Sequence, residues 1–293
     1  MALYDKDGNQ IATCYDSSGN AITTAYDSSG NVVWTADRQI VFCNYNVGQW
    51  YIGSGARIPT ENKTEYTALQ TAIFNNIRPD ICLMQEATST FCQDGTLAED
   101  FLSQWFEYIE ITRGSVGFQA HIMATKDIPI EDYTVVPFIN AAGNYPGYET
   151  AYVTVNGKRI FLLNTHIITM PQYRQEAQIA EVMDAVADKE YFIVSGDFNL
   201  VIHDGSEEDY INCIKPFLDA GYHSANCGDF GIFPTYYRTE EAEPQDGYKP
   251  ATDQIITSAN IDIVNAYVDT TKLTDNIADK IDHVPLVAVL DIN

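Results

Sequence analysis

The chain of 293 residues is 45% hydrophobic and carries 41 acidic against 16 basic side chains, a formal charge of -25. That length and apolar content supply one large core with at most a short extension beside it, and the charge disfavours a protein that grips nucleic acid through a broad basic surface. No run approaches the roughly 18 apolar residues that span a bilayer, and the opening MALYDKDGNQ lacks the apolar segment of a secretory signal.

Residues 1–36 contain a repeat of period eleven: YDKDGNQIATC from Tyr4, YDSSGNAITTA from Tyr15 and YDSSGNVVWTA from Tyr26. Each copy is a glycine turn followed by alternation, which predicts three short strands. Asp5, Asp7 and Asn9 around Gly8 supply too few ligands for a calcium loop. So short a meander has little core of its own, so residues 1–37 are expected to form an arm that docks on the main domain, on a partner or on other copies of itself. The repeats are similar in composition to those at the front of phage tail-linked hydrolases, and a cytoplasmic or phage-particle location is the corresponding expectation. The six cysteines form no CxxC pair, which argues against zinc and against a disulfide framework.

From Arg38 the pattern changes to strands alternating with helices. IVFCNYNVG from Ile40 reads as a buried strand, followed by a helix with Leu69, Ile73 and Ile77 on one face that Pro79 ends. ICLMQEA is the next strand. RIFLLNTHI is another, and Pro171 opens a helix whose Ile179, Val182, Met183 and Val186 form an apolar stripe leading to the strand FIVSGD. Ile211, Ile214 and Leu218 predict a further helix that stops at Gly221, and ATDQIITS and DHVPLVAVLDI supply late strands. The domain is mixed α/β, with Asn, Asp, Glu or His recurring at its strand ends.

Those ends are Asn46 in NYNVG, Glu86 in LMQEA, His166 in LNTHI, Asp197 and Asn199 in SGDFN, Asp253 in ATDQI, and Asp282 with His283 in IDHVP. Asp197 and Asn199 share a face if the strand runs through both. In this order, over residues 38–293, the residues resemble the endonuclease/exonuclease/phosphatase superfamily, whose members include deoxyribonuclease-I-like nucleases, sphingomyelinases and inositol-phosphate 5-phosphatases. The resemblance implies a four-layer sandwich, with two mixed β-sheets face to face, helices outside and the active site at one end. It also implies Mg²⁺, or Mn²⁺ in its place, at Glu86 with Asn46 and Asp282 nearby. Asp197 would orient or deprotonate a water, while Asn199, Asn46 and His166 would hold the water or phosphate oxygens. His283 would touch the phosphate, with Asp253 charging its imidazole. Such chemistry suits an anionic ester whose charge must be neutralised before water can attack.

Thr165–His166 and Gly48 depart from the abasic-site endonuclease pattern, and GDFNLVI and ATDQI depart from that of the inositol 5-phosphatases. What remains implies a phosphodiester hydrolase, first a nuclease acting on DNA with little sequence preference. The alternative is a sphingomyelinase-like lipid phosphodiesterase or small-molecule phosphatase, for which Trp50 and Tyr51 would offer membrane contact. Arg57, Lys63, Arg113 and Lys126 are candidate bases to offset the acidic field. Phe118 stands where relatives carry a phosphate-binding tyrosine; His121 reads as structural, and His203 and Arg174 as surface residues. Because every acid, amide and histidine of the pattern is present, an enzyme is favoured over a binding module that has lost its site.

Overall fold

The computed structural model describes residues 14–15, 21–22, 24–26, 32–35, 39–48, 63–87, 96–112, 120–142, 145–168, 171–200, 202–203, 214–236, 248–249, 251–271 and 282–292. In the arm, β1 (Cys14–Tyr15) pairs antiparallel with β2 (Ala21–Ile22), and β3 (Thr24–Tyr26) pairs with β4 (Val32–Thr35). The arm's described strands thus form two separate antiparallel pairs, four short strands where the repeats predict three. The aspartates around Gly8, and Trp50, Tyr51, Arg57, Arg113 and Phe118, lie outside the described residues.

Two βαβ units organise the domain. In the first, β5 (Ile40–Asn46) runs through the helix Lys63–Ile77 into β6 (Ile81–Ala87), and the two strands pair in parallel with Cys43 opposite Cys82. The helix ends where Arg78 turns left-handed at φ 51° ahead of Pro79. Beyond it come β7 (Tyr108–Ile111) and β8 (Ala120–Thr125), then the long hairpin β9 (Glu131–Ala142) and β10 (Tyr145–Val155). The second unit is β11 (Lys158–His166), the helix Gln172–Val186 and β12 (Phe192–Asp197), again a parallel pair. A small pair, β13 (Ile202–His203) with β15 (Tyr248–Lys249), brackets β14 (His223–Ser224); β16 (Asp253–Thr257), β17 (Ile261–Val268) and β18 (Leu286–Ile292) complete the order. One six-stranded sheet runs β17-β18-β5-β6-β8-β7, the other β14-β16-β12-β11-β10-β9. Apart from the two central parallel pairs, every pairing in them is antiparallel.

Three separate cores make four layers. Tyr66, Leu69, Ile73 and Phe74 of the first helix pack on Cys43, Tyr45, Cys82 and Met84, the outer face of the first sheet. Ile179, Val182 and Val186 cover Phe161, Leu163, Phe192 and Val194 of the second. Between the sheets lie Ile40, Phe42, Ile81, Leu83, Ile160, Leu162 and Ile193. The sequence expectation of a four-layer sandwich holds. Two local expectations do not. The helix expected up to Gly221 spans only Lys215–Asp219, with buried Ile214 at its N-cap, Pro216 within its first turn, and residue 211 outside the described residues. The strand of SGDFN ends at Asp197, and Asn199 two residues on adopts φ 51° outside it, so the two side chains do not share a strand face.

Candidate active site

Side chains on a strand alternate faces, so each inward-facing row continues the inter-sheet core at a period of two. In β5 the row reads Ile40, Phe42, Asn44, Asn46; in β6 Ile81, Leu83, Gln85; in β11 Ile160, Leu162, Asn164, His166; in β12 Ile193, Ser195, Asp197. All four rows change from apolar to polar toward the C-terminal strand ends. The antiparallel strands match from the other direction: β16 enters with Asp253 before Ile255, β10 with Glu149 before Ala151, and β8 with His121 before Met123. One end of the sandwich is therefore lined by two tiers of buried polar side chains.

The outer tier holds the residues expected from the sequence. Glu86 sits in a bulge where Gln85 and Glu86 oppose His121 alone, between the pairs Met84–Ile122 and Ala87–Ala120, and its φ is 54°. Bulges re-aim side chains. Asn46 donates from Nδ2 to Asp197 Oδ2 at 2.9 Å and to Glu86 Oε1 at 3.3 Å, while its Oδ1 accepts the Gly48 amide. His166 Nε2 lies 3.3 Å and His283 Nε2 3.6 Å from the same Asp197 Oδ2. Asn199 donates its backbone N–H to Asp197 Oδ1 at 2.7 Å and its Nδ2 to the Ile167 carbonyl at 2.6 Å. It therefore fixes the loop and the carboxylate from outside the strand.

His283 Nδ1 lies 2.7 Å from Asp253 Oδ2, across the gap between the sheets. Asp253 is fully buried and also accepts from Asn44 Nδ2 at 2.9 Å and Thr252 Oγ1 at 3.0 Å. Tyr236 packs edge-on against the His283 ring, with centroids 5.0 Å apart. The inner tier continues the chain of hydrogen bonds: Gln85 Nε2 donates to Asn44 Oδ1 and to Asn164 Oδ1, Ser195 Oγ donates to Asn44 Oδ1, and Asn164 Nδ2 donates to Glu149 Oε2. Tyr133 and Thr112 close it on Glu149 Oε1.

The two imidazoles are buried almost equally, 3% and 4% exposed, yet differ in charge. Burial drives His166 down to about 4 against the opposing pull of Glu86. Burial also works against the charged form of His283, but Asp253, with Asp197 and Asp282, overrides it and lifts the group to about 10. Burial raises Asp197 to about 6 against the pull of His283. At neutral pH the site thus holds a neutral His166, an imidazolium at His283 and a mostly ionised Asp197. His121 is buried and driven down to about 3 by burial, a neutral core imidazole as expected from the sequence.

Ligand atoms of Glu86, His166 and Asp197 all lie within 4.8 Å of one another. Glu86 Oε2 is buried and accepts no hydrogen bond among the described residues. An orphaned carboxylate oxygen in such a group suits a divalent cation. Asp282 is half-buried beside this group, outside the 4.8 Å set, and bears on both imidazoles through its charge. Of the candidate bases that are described, Lys63 opens its helix and Lys126 is exposed. Arg174 is half-buried next to Tyr173, and His203 pairs with Tyr248. Sequence reasoning missed Asn44, Gln85, Asn164, Ser195, Glu149, Thr252 and Tyr236. The signal for most of them was a polar residue at the next inward position of an apolar row.

No protein-family model matches the chain. The 5'-tyrosyl-DNA phosphodiesterase of Caenorhabditis elegans is 29% identical over 119 residues, which span 40% of this chain and 31% of that protein. Truncated Caenorhabditis elegans TDP2 superposes with a TM-score of 0.63 at 18% identity, covering 86% of this chain and 97% of that one. An endonuclease/exonuclease/phosphatase from Bacteroides vulgatus gives 0.64 at 15% identity, over 87% and 100% of the two chains. The 3' phosphatase NExo from Neisseria, bound to a product DNA hairpin, gives 0.60 at 18%, over 86% and 99%. With its two six-stranded sheets and its site at their common end, the chain has the deoxyribonuclease-I-like fold of the endonuclease/exonuclease/phosphatase superfamily.

Proposed function

We propose that the protein is a divalent-metal-dependent phosphoric ester hydrolase whose substrate is a phosphodiester of DNA, cut with little sequence preference. One observation carries this reading: an unsatisfied Glu86 oxygen, the Asp197 carboxylate, a neutral imidazole and an imidazolium meet at one end of the sheets. Glu86 would hold Mg²⁺ or Mn²⁺, with Asn46 and Asp282 close by. When bound, the ion neutralises phosphate charge that this acidic protein cannot neutralise itself. Asp197, raised to about 6, is ionised at neutral pH yet basic enough to take a proton from an attacking water. The His283 imidazolium, held by Asp253, donates to a phosphate oxygen and keeps its charge across the neutral range. Neutral His166, beside Asp197, offers a second contact to the phosphate or the leaving oxygen. Asn46 and Asn199 hold the Asp197 carboxylate from two sides.

The choice of DNA draws on the relatives: one is a 5'-tyrosyl-DNA phosphodiesterase, matched over less than a third of its length, and one structure is a 3' phosphatase bound to product DNA. The test is turnover of plasmid DNA, a 5'-tyrosyl oligonucleotide, a 3'-phosphorylated oligonucleotide and sphingomyelin with Mg²⁺ or Mn²⁺ at low salt. DNA should be cleaved, EDTA should stop the reaction, and Glu86→Gln should abolish it without unfolding the protein. Intact DNA beside hydrolysed sphingomyelin would overturn the DNA reading, and full Glu86→Gln activity in EDTA would overturn the metal.

A further inference from the structure

We infer that Asn44, to which the proposed chemistry assigns no role, is a positioning residue: held by Gln85 and Ser195, its amide fixes the Asp253 carboxylate so that Oδ2 aims at His283 Nδ1. This inference rests on the hydrolase reading for its consequence in turnover, and on hydrogen-bond geometry for its substance.

Asn44 is fully buried, and its Oδ1 accepts from Gln85 Nε2 at 2.9 Å and from Ser195 Oγ at 2.7 Å. Those two donors fix which end of the amide is which. Nδ2 is thereby turned to Asp253 Oδ1 at 2.9 Å, where an ionised carboxylate can only accept and a flipped amide would not serve. The carboxylate's other oxygen is shared between Thr252 Oγ1 at 3.0 Å and His283 Nδ1 at 2.7 Å. Asn44 is on β5 of one sheet and Asp253 on β16 of the other, while His283 precedes β18 of the first sheet. The dyad therefore spans two sheets, and the Asn44 bond pins its far member. Without that bond Asp253 Oδ1 is a buried acceptor with no donor among the described residues, and the carboxylate is held at Oδ2 alone.

The test uses the full chain with Asn44→Leu, which keeps the shape and removes the amide, and Asn44→Ser as a smaller polar alternative. The His283 Nδ1–H proton should give a far-downfield NMR resonance in the unmutated protein, identified by its absence in His283→Gln. It should move upfield or vanish in the Asn44 variants. With bis(p-nitrophenyl) phosphate and Mn²⁺, kcat should fall about 10- to 100-fold with KM within about twofold. Asn44→Leu combined with Asp253→Asn should be no slower than Asp253→Asn alone, within about threefold. An unchanged resonance, or losses that multiply in the double variant, would overturn the inference. Failure of both Asn44 variants to fold would overturn it too, since Asn44 would then serve the core and not the dyad. If the unmutated chain hydrolyses no ester, the hydrolase reading fails, and the resonance still decides the positioning role.

Discussion

Replacing Glu149 by Gln should remove a large part of the protein's loss of stability between mildly acidic and mildly alkaline pH. The carboxylate is fully buried at the far end of the inner polar tier. Burial raises it from 4.5 to about 7, even though Thr112, Tyr133 and Asn164 all favour its charged form. Because the folded-state value lies above the unfolded one, the folded protein binds more protons than the unfolded chain between those two values. Its contribution to stability is therefore fully present below about pH 4.5 and is lost as pH rises through about 7. The interval is about 2.5 pH units at about 1.4 kcal/mol each, hence about 3.5 kcal/mol in all. Other groups titrate as well, so the informative quantity is the difference between wild type and Glu149→Gln. Chemical denaturation at pH 5 and pH 8 should show that difference shifting against the wild type by about 2.5 kcal/mol on going to pH 8, a little of the contribution being already lost at pH 5. Any constant cost, such as an amide set against Asn164 Nδ2, drops out of the comparison. Parallel stability curves, within about 0.5 kcal/mol, would refute the assignment of Glu149 as a carboxyl group held near neutrality.

Asp253→Asn should expose the effect of burial on His283, moving the alkaline limb of the pH–rate profile from above about pH 9 to below about pH 7; a limb that stays in place would make Asp253 merely structural. Gly196→Ala should cost about 3 kcal/mol or more in denaturation midpoints. A Cβ there would stand 2.0 Å from the Thr165 carbonyl oxygen of the neighbouring strand, so a stable variant with full activity would contradict the packing. Removal of residues 1–37 should leave turnover intact and change self-association or attachment, to be read by light scattering beside the ester assay; lost turnover in a folded truncated chain would refute that modularity.

The elements readable in the sequence are those with a strong period. The two helices with unbroken apolar stripes, and strands such as Ile81–Ala87 and Phe192–Asp197, stand where their patterns place them because they are buried on both faces or pack one clear face. The hairpin Glu131–Ala142 with Tyr145–Val155 was not legible. It lies toward one edge of its sheet, its first strand is largely exposed, and that strand breaks the inside–outside alternation with Ile139 at 90% exposure. The helix expected up to Gly221 was overextended because the spacing of Ile211, Ile214 and Leu218 fits one helical face, while Pro216 fits only near a helix start. At the site, the outer residues were legible as polar groups at the ends of apolar strands. The route by which Asn199 reaches Asp197 was not, because a left-handed backbone residue leaves no trace in alternation. Nor could the sequence show that Asp253 and His283, 30 residues apart, would meet from opposite sheets.

The pair of imidazoles shows why the inner tier matters to the chemistry. His166 and His283 are equally withdrawn from water, and withdrawal alone pushes an imidazole toward its neutral form. His166 obeys that rule and falls to about 4; His283 ends near 10. The difference is a carboxylate placed 2.7 Å from one ring nitrogen, and that carboxylate is itself placed by Asn44 and Thr252. One carboxylate oxygen, Asp197 Oδ2, thus has a proton-poor imidazole, His166, at 3.3 Å and a proton-rich one, His283, at 3.6 Å. Were Asp253 to turn away, His283 would lose the largest influence that opposes burial and would be driven toward its neutral form. The division of labour between the two histidines is therefore set less by the histidines than by Asp253 and the polar groups that hold it.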